Sequence, residues 1–315
     1  MGEFELIQRY FLPLAGQQKS RSLILGPGDD CAIQRIPAGR DLVFSVDTLV
    51  EGVHFPRNYR PDYLGWRALA VAASDLAAMG ADAECFTLAV TMPEADEQWL
   101  AGFARGLSRA SKAFGMALAG GDTTSGPLTL TLQVHGTVEQ GTAIRRSGAR
   151  SGDLVAVSGT LGDAGAALDY LNEASPSPHV AAVLDRYHSP RPRLALGSAV
   201  RGIASAAVDI SDGLLADLGH ILEASEVGAR IDSARLPVSM PLKRLKGDAA
   251  LDFALRSGDD YELCLTIPAE RWKNAPDEIR KQLSVIGTVE SRPGLFLDGK
   301  PCGGDTGFDH FRSRR

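Results

Sequence analysis

Two periods run through the chain. At 128–134 apolar and polar residues alternate, L-T-L-T-L-Q-V, the spacing of a strand with one covered face and one half-exposed face. Elsewhere the period is helical. Leu100, Phe103, Leu107 and Ala110 share one face of a helix predicted over 94–114, and Leu64, Ala68, Val71 and Leu76 share one face of another over 62–79. Largely apolar runs at Leu42–Val46, broken only by Ser45, and at Leu154–Val157 predict buried strands. Further strands are expected at 31–33, 84–91, 116–119, 206–208, 262–267 and 285–289. Helices are expected at 3–11, from 163 through 171, and at 193–202 and 214–224. Both halves mix strands and helices in a similar way. The fold class is therefore α/β (α+β), with two mixed domains. The polar, Gly-rich stretch R-R-S-G-A-R-S-G at 145–152 reads as a linker and puts the boundary at 148, giving domains 1–148 and 149–315.

Composition narrows the functional classes. The chain has 315 residues, 44% hydrophobic and 23% charged, enough for a sizeable core. A formal net charge of −6 argues against a general nucleic-acid binder, which needs a basic face. Cys31, Cys85, Cys264 and Cys302 are far apart and show no zinc or CxxC spacing, so reduced thiols in a cytoplasmic protein are expected. The start M-G-E-F-E-L-I-Q-R-Y-F lacks the apolar core of a signal peptide. No apolar run reaches ~18 residues, so no membrane span is expected.

The candidate chemistry is acidic. Asp29 and Asp30, Asp47, Asp122, Asp209 and Asp212, and Asp259 and Asp260 fall at expected strand ends or in Gly-flanked turns. Any one of these is accounted for as a surface turn, since Asp and Gly favour turns. Their recurrence fits hard cations such as Mg²⁺, which take carboxylate and carbonyl oxygens and share them with phosphate. Asp75 differs: an aspartate within an Ala-rich helix is unfavourable in propensity and calls for a cation or a cap. Asp47 is expected where the strand 42–46 runs out, with Glu51-Gly52 as a turn and His54 opening a loop. His54 alone reads equally as a structural residue, and Arg146 as a solvated linker charge or a phosphate clamp. The chain contains no P-loop, no well-placed G-x-G-x-x-G and no protein-kinase catalytic loop.

In order, these motifs resemble the thiamine-monophosphate kinase family, within the superfamily of aminoimidazole ribonucleotide synthetase and selenophosphate synthetase. The resemblance rests on G-P-G-D-D-C-A at 26–32, S-V-D-T-L-V-E-G-V-H-F at 45–55, S-D-L-A-A-M-G-A at 74–81 and G-G-D-T-T at 120–124. It continues with R-S-G-A at 146–149, D-I-S-D-G-L at 209–214, S-G-D-D-Y-E-L at 257–263 and G-F-D-H-F at 307–311. Two positions depart from the family pattern: Asp259 stands where glutamate is usual, and Phe308 where tryptophan is frequent. The resemblance implies ATP-dependent phosphorylation of thiamine monophosphate to thiamine diphosphate by a homodimer paired through strands of its N-terminal domain. It implies several Mg²⁺ ions on Asp30, Ser45, Asp47, Asp75, Asp122, Asp209 and Asp212, with the Val46 carbonyl. It places ATP near Arg105, Gly121, Asp122, Arg146 and Ser211, and thiamine phosphate near His54, Asp259 and Phe308. Asp47, Asp122 and Asp212 would be the catalytic carboxylates. Sister enzymes of the superfamily are one alternative, and a non-enzymatic nucleotide- or metal-binding regulator that kept the fold but lost turnover is another. The selenium enzyme would carry a reactive Cys or selenocysteine in a Gly-rich segment before Cys31, and a hydrogenase-maturation enzyme would end in cysteine, whereas this chain ends F-R-S-R-R.

Overall fold

Strand β3 (Arg40–Val50), with β4 (Asp82–Met92), β5 (Ala117–Ser125) and β6 (Thr129–Glu139), forms a four-stranded sheet. Its order is β3-β6-β4-β5, antiparallel except for the parallel pair β4–β5. The computed structural model describes residues 2–302. A short hairpin of β1 (Leu23–Leu25) and β2 (Ile33–Gln34) precedes the sheet. Alternation sorts the sheet's two faces. Leu130, Leu132 and Val134 on β6 and Leu88 and Val90 on β4 are buried, while their neighbours along each strand are more exposed; at Glu84–Phe86 both faces of β4 are buried. The helices Pro61–Ala78 and Glu97–Phe114 supply Leu64, Leu69, Leu76, Leu100, Phe103 and Leu107 to this unit's core. The two helices cross closely: a Cβ on Gly106 would lie 2.0 Å from the Asp62 carbonyl oxygen, and one on Gly65 2.2 Å from that of Phe103. Asp96 caps the second helix by accepting from the N–H groups of Gln98 and Trp99.

The expectation of a buried strand at Leu42–Val46 is corrected here. Phe44 is 60% exposed and Val46 58%. β3 is an edge strand covered on one face only, and its apolar run places residues on both faces. A short apolar run does not distinguish this case from a strand sandwiched on both sides.

Backbone contacts place Met1–Leu76 and Ala81–Ala143 in one unit, and Ala77–Gly80 with everything from Ile144 onward in a second. The second unit holds a seven-stranded sheet of order β13-β12-β9-β11-β7-β10-β8. Its strands are β7 (Leu154–Ser158), β8 (Ala206–Asp209), β9 (Gly228–Ile231), β10 (Leu263–Ile267), β11 (Leu283–Glu290), β12 (Gly294–Leu297) and β13 (Lys300–Pro301). β8 and β10 are buried at every position and β7 at four of its five. Val155, Val157, Val208, Cys264 and Ile286 pack into one cluster and Ala156, Ala207, Leu263 and Leu265 into another, so this sheet is covered on both faces. That is why these strands read as unbroken apolar runs and β6 does not.

Several boundaries move. The amino-terminal helical run extends to Ala15 through a π-helical segment at Ile7–Phe11. The helix expected over 193–202 covers only Leu194–Ala199, and a helix at Pro178–His188 had no sequence-based expectation. No helix of the described residues is long and apolar enough to cross a membrane.

Candidate active site

In the first unit, β3 carries Ser45, Val46 and Asp47. By register Ser45 pairs with Val134 and Asp47 with Leu132, so both lie on the helix-covered face, while Val46 pairs with Gln133 on the open face. Asp75 comes from the last turn of the Pro61–Ala78 helix, and its Oδ2 accepts a hydrogen bond from the Ser45 hydroxyl at 2.5 Å. Burial, and after it the charge of Asp75, push the Asp47 carboxyl up to about 6. Asp75 therefore meets the Ser45 hydroxyl directly and lies close enough to Asp47 to raise its carboxyl. The propensity argument that singled out Asp75 meets a structural partner.

Asp47 does not sit at a strand end: β3 continues to Val50, so the carboxylate projects from mid-strand. Asp122 likewise lies within β5, which runs through the Gly120-Gly121 pair instead of ending before it. The signal misread at both places was glycine and aspartate as turn formers. Gly121 is in the strand because its backbone lies against β4, and a Cβ there would sit 2.0 Å from the Leu88 carbonyl oxygen. β3 and β5 are opposite edges of the sheet, about 14 Å apart at ~4.8 Å per strand. Asp47 aligns with Leu132, Leu88 and Gly121, whereas Asp122 aligns with Ala89, Thr131 and Thr48. Asp47 and Asp122 therefore cannot ligate one ion within this unit. Asp30 is exposed in the loop after β1, its N–H bonded to the Asp29 carboxylate at 2.9 Å, and Arg105 is exposed on the Glu97–Phe114 helix. His54 follows the Glu51–Gly52 turn. Its Nδ1 accepts the Val50 N–H at 3.0 Å, so the neutral ring carries its proton on Nε2.

In the second unit two acidic loops are joined backbone to backbone. Asp209 closes β8, and 210–213 lead into the helix Leu214–Ser225. The Asp259 N–H donates to the Ser211 carbonyl at 2.8 Å, the Tyr261 N–H to that of Ile210 at 2.9 Å, and the Ile210 N–H to that of Glu262 at 2.8 Å. The fit leaves no room at Gly258, where a Cβ would lie 2.2 Å from the Ser211 oxygen. Asp259 and Tyr261 both adopt left-handed backbone, with φ of +69° and +50°. The Tyr261 hydroxyl donates to the Asp259 carboxylate at 3.0 Å. Such strain persists only where surrounding bonds impose it.

Those bonds come from Asp260, already singled out by its motif, and from Glu262 and Asp217, whose roles the sequence did not suggest. Glu262 is fully buried and takes Arg186 and Arg193 as ion partners and the Ser158 hydroxyl as a donor. Burial pushes Asp260 well above the usual carboxylate range, and its Oδ2 accepts the Gly162 N–H at 2.8 Å. Asp217, 2% exposed, accepts three N–H groups of the 211–213 loop. Burial pushes its carboxyl up to about 7, against the pull of those N–H groups. One signal could have found Glu262, the same that found Asp75: a lone charge beside an apolar run. Arg146 is exposed, in a stretch pinned to the second unit by the Ser225 hydroxyl, which donates to the Arg146 carbonyl and accepts from the Gly148 N–H, each at 3.1 Å. Phe308 lies outside the described residues. Among the described residues no three His, Cys, Asp or Glu side chains gather closely enough to hold a metal ion. Ser45, Asp47 and Asp75 bring two carboxylates and one hydroxyl, oxygen donors of the kind a hard cation takes, to the helix-covered side of β3.

The comparisons agree with this picture. AIR synthase related protein, N-terminal domain, matches residues 28–138, and AIR synthase related protein, C-terminal domain, matches residues 150–300. Fold and acidic loops together define a two-domain protein of the AIR synthase-related class. The thiamine-monophosphate kinase of Escherichia coli (strain K12) is 45% identical over 322 residues, which cover 98% of each chain. The crystal structure of thiamine-monophosphate kinase from Stenotrophomonas maltophilia K279a superposes with a TM-score of 0.87 at 42% identity, covering 96% of this chain and 98% of that one. AaThiL complexed with AMPPCP and TMP superposes with a TM-score of 0.82 at 31% identity, covering 98% of this chain and 96% of that one. The chain belongs to the thiamine-monophosphate kinase family.

Proposed function

We propose that the chain transfers the γ-phosphoryl group of ATP to the phosphate of thiamine monophosphate, giving thiamine diphosphate and ADP. The observation that carries this reading is identity of 45% with a thiamine-monophosphate kinase across 98% of the chain. AaThiL, complexed with AMPPCP and TMP, supports both substrates.

The residues have separable roles in this reading. Ser45, the Val46 carbonyl, Asp47 and Asp75 hold Mg²⁺ from one sheet edge, with Asp30, Asp122, Asp209 and Asp212 as further ligands. The raised Asp47 carboxyl supports this: burial, and after it the charge of Asp75, push it up to about 6, and a divalent cation would offset both. More than one ion is required, because one Mg²⁺ reaches oxygens only ~2.1 Å away and Asp47 and Asp122 lie on opposite edges of the sheet. Mg²⁺ bound there would neutralise charge on the phosphoryl oxygens. Gly121, Asp122, Arg105, Arg146 and Ser211 contact ATP, while His54, Asp259 and Phe308 face thiamine phosphate. Domains 1–148 and 149–315 then divide the work: the first binds most of ATP and Mg²⁺ and dimerises, the second completes the site. The protein works in the cytoplasm as a homodimer. No general base is needed, since a phosphate monoester with a second pKa of about 6 is mostly a dianion at neutral pH.

The test is coupled ADP release with thiamine monophosphate as sole acceptor, on the wild type and on Asp122→Asn. Turnover by the wild type that the variant loses by about 100-fold or more supports both the reaction and the site. No ADP release with this acceptor sinks the reaction, and a fully active variant sinks the placement of Asp122.

A further inference from the structure

The helix Leu214–Ser225 begins without a side-chain cap: Gly213, at its N-cap, has φ of 120° and provides none. Asp217 serves the turn from inside the helix. Its Oδ2 reaches back and accepts the N–H of Ser211 at 3.0 Å, of Asp212 at 3.0 Å and of Gly213 at 3.1 Å. Three successive N–H groups turned toward one point make a concavity that elsewhere binds phosphate or another anion. Here the anion is the protein's own, and at 2% exposure substrate does not displace it. The loop's other face is tied as well, with the Ser211 carbonyl accepting from Asp259.

We propose that Asp217 is a positioning residue for the phosphoryl-transfer site. By occupying the three N–H groups of 211–213 it turns an anion-binding turn into one that presents oxygens, so that Ser211 and Asp212 meet cations and nucleotide with hydroxyl and carboxylate. This rests on the reading above that Ser211 and Asp212 belong to the site. Partners that orient metal ligands from behind typically change metal affinity or activity by about 10–100-fold when removed. An alanine at 217 leaves the three N–H groups without their acceptor. An asparagine keeps one oxygen in place, though without the charge that strengthens the bonds.

The experiment compares wild type, Asp217→Ala, Asp217→Asn, Asp212→Asn and Leu218→Ala. Leu218 is fully buried one residue along the same helix, so its variant matches the loss of stability without touching the loop. Three readouts are taken: the Mg²⁺ concentration giving half-maximal ADP release, the rise in Tm on adding Mg²⁺ with AMPPCP, and hydrogen exchange of amides 211–213. Asp217→Ala is expected to raise the Mg²⁺ requirement about 10–100-fold, lose most of the Tm rise and exchange its loop amides faster. Asp217→Asn should stay within about threefold of wild type, and Leu218→Ala should lower Tm only. If Asp212→Asn is impaired while Asp217→Ala responds to Mg²⁺ like wild type, the role of Asp217 is overturned and the site stands. If Asp212→Asn behaves as wild type, the site reading fails and this role with it. Should Asp217→Ala not fold, Asp217→Asn decides: folded, with slow loop exchange and near-normal Mg²⁺ response, it supports the proposal. Folded but impaired like Asp212→Asn, it overturns the claim that one oxygen acceptor suffices.

Discussion

Asp47 carries two opposed demands. A carboxyl group whose folded-state value lies above its unfolded one binds a proton more tightly in the folded chain. With Asp47 raised from 3.8 to about 6, its cost to stability is absent below about pH 4 and complete above about pH 6. Asp47→Asn removes that cost. In metal-free protein at pH 7.5 it should gain on the order of 1–3 kcal/mol, seen as a higher Tm, and the gain should vanish by pH 4. The same variant should lose nearly all turnover. An unchanged Tm at pH 7.5 would show that Asp47 is well solvated or already compensated. His54 lends itself to a second test. Its Nδ1 is engaged by the Val50 N–H, and in the proposed site the ring faces thiamine phosphate. His54→Asn keeps a donor, so KM for thiamine monophosphate should rise more than kcat falls. A kcat loss of about 10³ with KM unchanged would make His54 a base instead. At this scale the sequence was legible where a residue broke its surroundings, as Asp75 did in an Ala-rich helix. It was silent on Asp217, because an acid in a helix's first turn is ordinary.

At the scale of elements, the strands and long helices were readable from periodicity, and their ends were not. Gly120 and Gly121 read as a turn, yet belong to β5 because close approach to β4 demands glycine there. The acidic loop 257–261 read as one more turn, while its seating against 210–212 depends on contacts between segments about 50 residues apart in the chain, which no local pattern encodes. That seating can be tested with two glycines. A methyl at Gly258 meets the Ser211 carbonyl oxygen at 2.2 Å, so Gly258→Ala must push the two loops apart. Its kcat/KM should fall by about 100-fold or more, since small misplacements near the chemistry cost that much. Gly219, in the helix Leu214–Ser225, has nothing within 4 Å of an added Cβ. Gly219→Ala should therefore keep full activity and gain about 0.5–1 kcal/mol from helix propensity. Equal activity in the two variants would show that the loops tolerate separation.

At the scale of the whole molecule, the face of the first unit's sheet opposite its helices is exposed along β3, while Leu23 of β1 packs on Cys85, Ala117 and Ala119 and Gln34 of β2 bonds to His135. β3 is an eleven-residue edge strand whose Leu42, Phe44 and Val46 are 39%, 60% and 58% exposed on that face. The register sets Phe44 beside His135 and Val46 beside Gln133, and the Thr48 and Thr131 hydroxyls bond to each other at 3.0 Å. A long, apolar, unprotected edge strand invites pairing with another chain and is a hazard unless something covers it. The exposed apolar row along β3 supports a second copy as that cover, in line with the strand-built dimer that the motifs imply. At roughly 25 cal/mol per Å² of apolar surface, one exposed aromatic side chain of about 150 Å² contributes up to ~4 kcal/mol when covered, and twofold symmetry doubles it. A charge placed there should break the pair. Phe44→Asp with Leu42→Lys should convert a dimer of twice the 33.4 kDa chain mass into monomer, as read by light scattering after gel filtration. The helix-covered face, with Ser45 and Asp47, is left untouched by these changes. Activity of the monomer then separates two roles for the interface. Full turnover per chain would mean that the dimer only protects the sheet. A loss recovered at high protein concentration would mean that each site needs its partner. A wild-type monomer at micromolar concentration would overturn the assignment of this face to a second copy.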